Sequence, residues 1–218
     1  MKTALVLGAT GLVGSELVQL LLQDTRFSKV IPFVRRSTGL QHQKLQEHII
    51  NFDAVESWQH LVSGDVLFSA FGTTIKKAGS QQAQYKIDFT YQYNFAKAAA
   101  ANGVSTYVLV SSSGADPSSR IFYSRMKGEL DAAVKKLPFS FIRIIQPGLL
   151  TGDRKEHRLG EKAAAPVLSL LQYIPGLRKY RPIPARTVAK AMIAAAFEGD
   201  KKVKVHSLDA VFRLGGEE

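Results

Sequence analysis

Residues 2–14 read Lys-Thr-Ala-Leu-Val-Leu-Gly-Ala-Thr-Gly-Leu-Val-Gly and are the most informative stretch of the chain. An apolar run typical of a buried strand ends at Gly8, and Gly8, Gly11 and Gly14 follow the spacing G-x-x-G-x-x-G. Apolar residues then recur at helical spacing. A strand, a tight turn and a helix start aim backbone N–H groups and the positive end of a helix dipole at a diphosphate. This context predicts a dinucleotide-binding turn.

Each glycine of this turn has its own predicted role. Gly8 permits the turn, Gly11 lets the chain approach the phosphates, and Gly14 lets the helix pack against the strand. A βα turn without a ligand is the alternative, and the strand before the turn and the helix after it favour the binding site. The residues predicted to contact the cofactor here are Gly8, Thr10, Gly11, Leu12, Val13 and Gly14.

Alternating strands and helices predict an α/β protein. Apolar runs rich in β-branched residues lie at 3–8, 29–34, 65–70, 105–110 and 139–145, with a weaker run at 48–52 and a short one at 202–206. Helical patterns lie at 12–24, 54–62, 82–102, 123–137 and 184–199. This alternation predicts a Rossmann-type, doubly wound parallel sheet with helices on both faces.

Residues 146–183 break the alternation, because they are rich in Pro, Gly and basic residues. They contain no core-sized apolar set, so we expect a small C-terminal substrate-side flap and one NAD(P)-binding domain over residues 1–218. The apolar stretch 163–175 is expected to cover the core and to form a pocket wall. A partner surface and a shallow membrane contact are the alternatives for this stretch.

The composition is typical of a globular protein without cysteine chemistry. Of the 218 residues, 45% are hydrophobic and 22% are charged, which suits one well-buried domain. The absence of cysteine excludes disulfides and thiolate nucleophiles, and it leads us to expect a cytoplasmic protein. Glycines interrupt the N-terminal apolar run, so we expect a strand there and no secretory signal. The five histidines include no helical i, i+4 pair, so no metal site is expected.

The net charge of +11 favours anionic ligands through its long-range field. The basic residues are dispersed, and no helix-turn-helix, zinc-finger or RNA-binding signature accompanies them, so we expect no specific nucleic-acid partner. No apolar segment approaches the length of a membrane span, and peripheral membrane contact stays open. We expect a small-molecule substrate, and the sequence leaves open whether the protein is a monomer or a homodimer.

Two arginines, Arg35 and Arg36, follow the second predicted strand. Arg35 lies 21 positions beyond Gly14, where a dinucleotide fold that prefers NAD places an acidic residue for the ribose 2′-hydroxyl. A guanidinium can pair with a 2′-phosphate and stack on adenine, whereas a carboxylate would repel that phosphate. A solvent-exposed basic turn is the alternative. With the glycine turn present, the arginines predict NADP(H) rather than NAD(H).

A serine run and a later tyrosine–lysine pair predict proton transfer at a carbonyl carbon. Ser111, Ser112 and Ser113 follow the predicted strand at 105–110, and Tyr123 and Lys127 share one face of the next helix. A nearby ammonium group favours the phenolate form of a tyrosine, and a serine at the strand end can hydrogen-bond a substrate carbonyl. Proton transfer of this kind accompanies hydride transfer. A packed tyrosine and a solvated lysine are the alternative.

Four segments together resemble the atypical short-chain dehydrogenases/reductases, and most closely the Tat-interacting-protein oxidoreductase family. They extend over most of the chain in the expected order. The segments are 8–14, 71–79, 111–116 continuing through Tyr123-x-x-x-Lys127-Gly128-Glu129, and 146–154. The short interval between the serines and the tyrosine makes the third segment the most specific.

The resemblance implies an NADP(H) site and assigns roles within it. Arg35 would contact the 2′-phosphate, and Tyr123 and Lys127 would hold the nicotinamide ribose and carry the proton. The other cofactor neighbours that it implies are Phe71, Gly72, Leu150 and Arg158. The working hydroxyl is Ser112 or Ser113, and by analogy with other members that end this strand in three serines we favour Ser113.

Three functions are compatible with these residues. The first is an NADP(H)-dependent oxidoreductase acting on a small carbonyl or alcohol, with Tyr123 as acid/base, Lys127 as the group that holds the ribose, and Ser113 as carbonyl orienter. The alternative is an NADPH-binding sensor or adaptor with little or no turnover. An epimerase or dehydratase ranks third, because the flap is small for a nucleotide-sugar site.

Overall fold

The computed structural model describes residues 1–152 and 180–217. In this part of the chain, strands alternate with helices, and the strands form a seven-stranded sheet and a two-stranded sheet. The strands are β1 (Lys2–Leu7), β2 (Phe27–Val34), β3 (His48–Ile49), β4 (Val66–Ser69), β5 (Thr106–Val110), β6 (Phe141–Gln146), β7 (Leu150–Thr151), β8 (Ile183–Pro184) and β9 (Val203–Ser207). The helices are α1 (Leu12–Gln23), α2 (Val55–Trp58), α3 (Ile75–Ala78), α4 (Gln81–Tyr85), α5 (Gln92–Ala101), α6 (Phe122–Val134), α7 (Ala185–Ala195) and α8 (Asp209–Leu214).

The main sheet has the strand order β3-β2-β1-β4-β5-β6-β9, and every neighbouring pair is parallel. The order reverses between β1 and β4, because the chain first winds outward through β2 and β3 and then returns to the other side of β1. Ligands of such sheets bind at the carboxyl ends of the strands beside this switch point. The predicted Rossmann-type, doubly wound fold is confirmed.

Helices cover both faces of the sheet, and each face has its own apolar core. Leu17 of α1 and Val188 of α7 pack on one face, together with Ala4 and Val6 of β1. Leu5 and Leu7 of the same strand point to the opposite face, where Phe95 of α5 and Leu130 of α6 lie. Because β1 is buried on both sides, its sequence is a continuous apolar run instead of an alternating one.

The helix predicted at 82–102 is a single run from Gln81 to Ala101 with a π-helical segment, Lys86–Tyr91, in its middle. Ser80 begins it by accepting a hydrogen bond from the Ala83 N–H. A π-helical turn is often associated with a functional site, and nothing in the residue spacing indicated it.

The weak strand predicted at 48–52 is only two residues long in the structure. His48 and Ile49 pair with Phe33 and Val34 at the end of β2. Phe52 then turns into the core beside Trp58, so its apolar character reflects packing and not strand formation.

Only the two ends of the predicted flap at 146–183 fall within the described residues. Leu150 and Thr151 pair in parallel with Ile183 and Pro184, which brings those ends together. The single-domain assignment and the flap stay predictions. Among the helices of residues 1–152 and 180–217, none has the length and apolar content required to cross a bilayer.

Two glycines of the first turn are required by contacts within the protein itself. Gly8 has φ +79°, a left-handed conformation that favours glycine. A Cβ atom at Gly14 would lie 2.0 Å from the carbonyl oxygen of Gly8, so only a glycine lets α1 pack this close to the turn. A Cβ atom at Gly11 would meet its nearest neighbour, the same oxygen, at 3.2 Å. The roles predicted for Gly8 and Gly14 are confirmed, and the role of Gly11 toward phosphate stays a prediction.

Substitution of Gly14 by Ala is expected to lower the free energy of unfolding by about 2–3 kcal/mol, because backbone must move to admit the methyl group. Urea unfolding followed by circular dichroism measures this change. Gly199→Ala is the matched control, because a Cβ atom there would meet no atom within 4 Å, and its effect should stay within about 0.5 kcal/mol. Equal effects of the two substitutions would contradict this account of the turn.

Candidate dinucleotide and catalytic site

The glycine turn leaves the start of α1 open at the switch point of the sheet. Thr10 and Gly11 are exposed, and the helix begins at Leu12 without a capping side chain, because its N-cap is Gly11. Backbone N–H groups in the first turn of a helix have no partner within the helix and bind anions readily. The geometry therefore suits a pyrophosphate, as predicted from the sequence.

Arg35 and Arg36 leave the end of β2 as exposed side chains. Arg35 lines a cleft of about 380 Å³. The other residues around this cleft are Ile50, Asn51, Phe52, Asp53, Ile87 and Tyr91. The cleft lies at the same edge of the sheet as the glycine turn, and its mixture of an arginine, aromatic rings and apolar side chains suits an adenosine group.

An ion pair at this cleft was not predicted from the sequence. The Lys86 ammonium lies 2.6 Å from Oδ1 of Asp53, and the Tyr91 hydroxyl donates a hydrogen bond to the same oxygen at 2.9 Å. These two partners, Lys86 first, lower the pKa of the Asp53 carboxyl. Asp53 belongs to no motif, and Lys86 and Tyr91 come from the π-helical segment, so residue spacing gave no signal for this pair.

Phe71 and Gly72 follow β4, and their loop lies against both the glycine turn and the long helix. A Cβ atom at Gly8 would lie 2.7 Å from the Phe71 backbone nitrogen. The ring of Phe71 packs on Phe52 with centroids 5.1 Å apart. The backbone N–H of Thr73 donates to Oδ1 of the buried Asp88 at 2.7 Å. Asp88 is therefore a second functional candidate that sequence reasoning missed, because it fixes the loop predicted to border the cofactor.

The serine run follows β5 and hydrogen-bonds to the end of β6 and the residue after it. The N–H of Ser111 donates to the Ile145 carbonyl at 2.7 Å, and the N–H of Ser113 donates to the Pro147 carbonyl at 3.0 Å. The Ser112 hydroxyl donates to the carbonyl of Ser113 at 3.3 Å. Ser112 and Ser113 are both half-buried, so exposure alone does not decide which of them is the working hydroxyl.

Tyr123 and Lys127 lie on α6, which docks closely on the loop that continues the serine run. A Cβ atom at Gly128 would lie 2.2 Å from the backbone nitrogen of Pro117, so this contact requires glycine. The N–H of Asp116 also donates to the Ser124 carbonyl at 3.0 Å. The helix turn that carries Tyr123 and Lys127 is thereby fixed against the serine loop.

Tyr123 and Lys127 are both at least partly buried. Tyr123 is half-buried and Lys127 is only 4% exposed, so the alternative of a solvated lysine does not hold. A buried ammonium group needs a nearby anion or hydrogen-bond acceptor.

The flap residues predicted near the cofactor are partly described. Leu150 lies in β7, and a Cβ atom at the nearby Gly152 would contact Leu12 Cδ1 at 2.8 Å, so this strand end reaches the glycine turn. Arg158, which the resemblance placed near the phosphates, lies outside the described residues.

A larger open groove of about 990 Å³ lies on the other face of α6. It runs between α6 and the helix that begins at Gln81, and it contains none of the predicted site residues. The side chains that α6 contributes to it are Phe122, Arg125, Met126 and Glu129.

Comparison with known sequences agrees with this geometry. A sequence model described as NAD(P)H-binding matches residues 8–198. The FMP52 protein of Candida albicans is 37% identical over 221 residues, which cover 98% of this chain and 94% of that protein. The fmp52-1 protein of Aspergillus terreus is 35% identical over 233 residues, which cover all of both chains.

Solved structures share the fold at low sequence identity. The Bordetella bronchiseptica enzyme WbmH in complex with NAD+ superposes with a TM-score of 0.71 at 15% identity, over 95% of this chain and 75% of that one. MoeE5 in complex with UDP-glucuronic acid and NAD gives a TM-score of 0.70 at 17% identity, over 94% of this chain and 76% of that one.

These comparisons correct one expectation and leave another as it was. The relatives from Candida albicans and Aspergillus terreus are named mitochondrial proteins, so the expected cytoplasmic location is wrong. The resemblance to the Tat-interacting-protein family in particular stays a prediction. The match over residues 8–198 shows that the chain belongs to the NAD(P)H-binding family, and the solved structures share its fold.

Proposed function

We propose that the protein is an NADP(H)-dependent oxidoreductase that transfers a hydride to or from a small carbonyl or alcohol substrate. One observation carries the proposal. The face of α6 with Tyr123 and Lys127 is locked by Gly128 onto the serine loop, at the same edge of the sheet as the open start of α1. That arrangement supports a site in which a dinucleotide and a proton-transferring tyrosine meet.

The proposed preference for a 2′-phosphate follows from the charges around the cleft that Arg35 and Tyr91 line, which we call the adenosine cleft. Arg35 and Arg36 are exposed beside it, and a guanidinium pairs well with a phosphate. Asp53 is the carboxylate of this cleft, and its charge is already balanced by Lys86 at 2.6 Å. A phosphate on the ribose would therefore meet free positive charge with little opposing repulsion.

The proposed chemistry assigns one task to each residue of the catalytic pair and its serine. NADPH, when bound, would supply a hydride for the carbonyl carbon of the substrate. The Tyr123 hydroxyl donates its proton to the carbonyl oxygen, so the products are an alcohol and NADP⁺. Lys127 holds the ribose hydroxyls and favours the phenolate that remains, and the Ser113 hydroxyl orients the carbonyl by a hydrogen bond.

Arg35 should determine the choice of coenzyme. We expect calorimetry to show that the wild-type protein binds NADPH at least about tenfold more tightly than NADH, which corresponds to one charge-assisted pair of about 1.4 kcal/mol. Arg35→Asp should remove this preference, because the carboxylate repels the 2′-phosphate and accepts a hydrogen bond from a free 2′-hydroxyl.

Arg213→Asp is the matched control for this experiment. It makes the same change in net charge at an exposed position of α8, a helix that follows β9 at the opposite edge of the sheet. It should leave both affinities within about twofold. Equal binding of NADPH and NADH by the wild-type protein would remove the NADP assignment.

Tyr123 should be required for turnover and not for coenzyme binding. With a panel of aldehydes and ketones, Tyr123→Phe is expected to lower NADPH consumption by at least about 100-fold, the range for loss of a general acid. Its affinity for NADPH should stay within a few-fold of the wild-type value. Tyr93→Phe is the control, because that ring stacks on Phe89 along the helix and has no part in the proposed chemistry.

The same panel separates the enzyme from the sensor or adaptor. NADPH binding by the wild-type protein without consumption on any substrate, together with capture of a partner only when NADPH is present, would support the sensor. Turnover that survives Tyr123→Phe would contradict the proposed role of the phenol.

A further inference from the structure

Helix α6 carries a second buried ionisable side chain, which the proposed chemistry does not use. Asp131 lies one turn beyond Lys127 on the same face, and each of the two residues is only 4% exposed. Side chains four positions apart on a helix are neighbours. A carboxylate is seldom buried to this degree unless it is paired, so its partners indicate its role.

The carboxylate of Asp131 is fixed by hydrogen bonds from the main sheet. Its Oδ2 atom accepts hydrogen bonds from the Ser111 hydroxyl at 3.0 Å and from the side-chain amide of Gln146 at 2.9 Å. The Ser207 hydroxyl donates a hydrogen bond to the side-chain carbonyl oxygen of Gln146 at 2.7 Å, which fixes the orientation of that amide. Three elements of the sheet, the ends of β5, β6 and β9, therefore hold the group in place.

The other oxygen of this carboxylate has no such partner. Oδ1 of Asp131 is buried and accepts no hydrogen bond from any residue within 1–152 and 180–217. Burial, the largest effect, raises the pKa of Asp131. The hydrogen bonds from Gln146 and Ser111 oppose that rise first, and the charges of Lys127 and Lys135 oppose it after them. Burial raises the pKa of the Tyr107 hydroxyl on β5, and the negative charge of Asp131 contributes to that rise. Lys135 is exposed, so Lys127 is the cation that shares the buried side of the helix.

We infer that Asp131 is a positioning residue: its fixed carboxylate lies one helical turn from Lys127 and, with no direct ion pair between these two described residues, orients the Lys127 ammonium group by its charge beside the Tyr123 phenol and the coenzyme ribose. The inference rests on the proposed function, because it assumes that Tyr123 and Lys127 face a nicotinamide. An ammonium group on a four-carbon chain has several rotamers, and an anion fixed by Ser111 and Gln146 selects one of them.

A cycle of NADPH-binding measurements tests whether Asp131 acts through Lys127. The proteins are wild type, Asp131→Asn, Lys127→Met and the double variant. Asp131→Asn should weaken NADPH binding about tenfold in the wild-type background and less than about twofold in the Lys127→Met background. Glu56→Gln, which removes a charge at an exposed position of α2, should change neither affinity. Equal weakening in both backgrounds, or none in either, would overturn the inference.

A second readout needs neither substrate nor coenzyme. Nuclear magnetic resonance of the isotope-labelled Asp131 carboxyl gives its titration directly. Lys127→Met should raise the pKa of Asp131 further, because the opposing ammonium charge is lost, whereas Lys135→Met should raise that pKa less. An unchanged titration in Lys127→Met, or a carboxyl that stays protonated at neutral pH in the wild-type protein, would also overturn the inference.

These measurements separate the inference from the proposed function. If the wild-type protein binds neither NADPH nor NADH, the proposed function fails, and with it the role toward coenzyme. The carboxyl titration still decides whether Asp131 and Lys127 are electrostatically coupled. If Asp131→Asn does not fold, Ser111→Ala replaces it in the cycle, because loss of one donor to Oδ2 should weaken binding in the same direction.

Discussion

The close contact between α1 and the turn before it is the constraint on which the rest of the structure depends. A Cβ atom at Gly14 would be 2.0 Å from the Gly8 carbonyl oxygen, so the helix can reach this position only with glycine there. The contact sets the direction of α1, and it places the uncapped start of the helix at the edge where β1, β2 and β4 end. The groups assigned to the cofactor within residues 1–152 lie around that edge, so a shift of α1 would move the predicted anion site.

A similar glycine contact organises the side of the sheet that carries the proposed catalytic pair. Gly128 lets α6 press against the backbone at Pro117, and this places Tyr123 and Lys127 beside the serine loop. The same helix face buries Asp131, which three polar side chains of the sheet help to fix in one orientation. Packing thus supplies a rigid surface, and the ionisable groups are arranged along it at successive turns of one helix.

Charge is distributed unevenly around the adenosine cleft, and the proposed coenzyme preference depends on this unevenness. The chain has a net charge of +11, yet only Arg35 and Arg36 project as exposed arginines from the end of β2. Asp53 and Lys86 largely cancel each other within the cleft. Long-range attraction for anions is therefore a property of the whole protein, whereas in the proposed function discrimination between dinucleotides would depend on these two arginines.

The amino-acid composition could not predict the cellular compartment of the protein. The lack of cysteine agrees with any reducing compartment, so the cytoplasmic expectation rested on a weak exclusion, and the mitochondrial names of the FMP52 relatives overturned it. The flap is a different case, because Leu150 and Ile183 show how its ends meet while Arg158 lies outside the described residues.

The sequence by itself determined the order of strands and helices, the glycine turn and the positions of Arg35, Tyr123 and Lys127. Those features are local, because they depend on spacing along the chain and on the conformations that glycine permits. Only the tertiary structure decided that Lys86 pairs with Asp53, that Asp88 holds the loop after β4, and that Asp131 lies beneath Lys127 with Ser111 and Gln146 as its donors. These contacts join residues far apart in the sequence, or depend on a π-helical turn and on burial, and no local pattern records which distant side chains a folded sheet brings together.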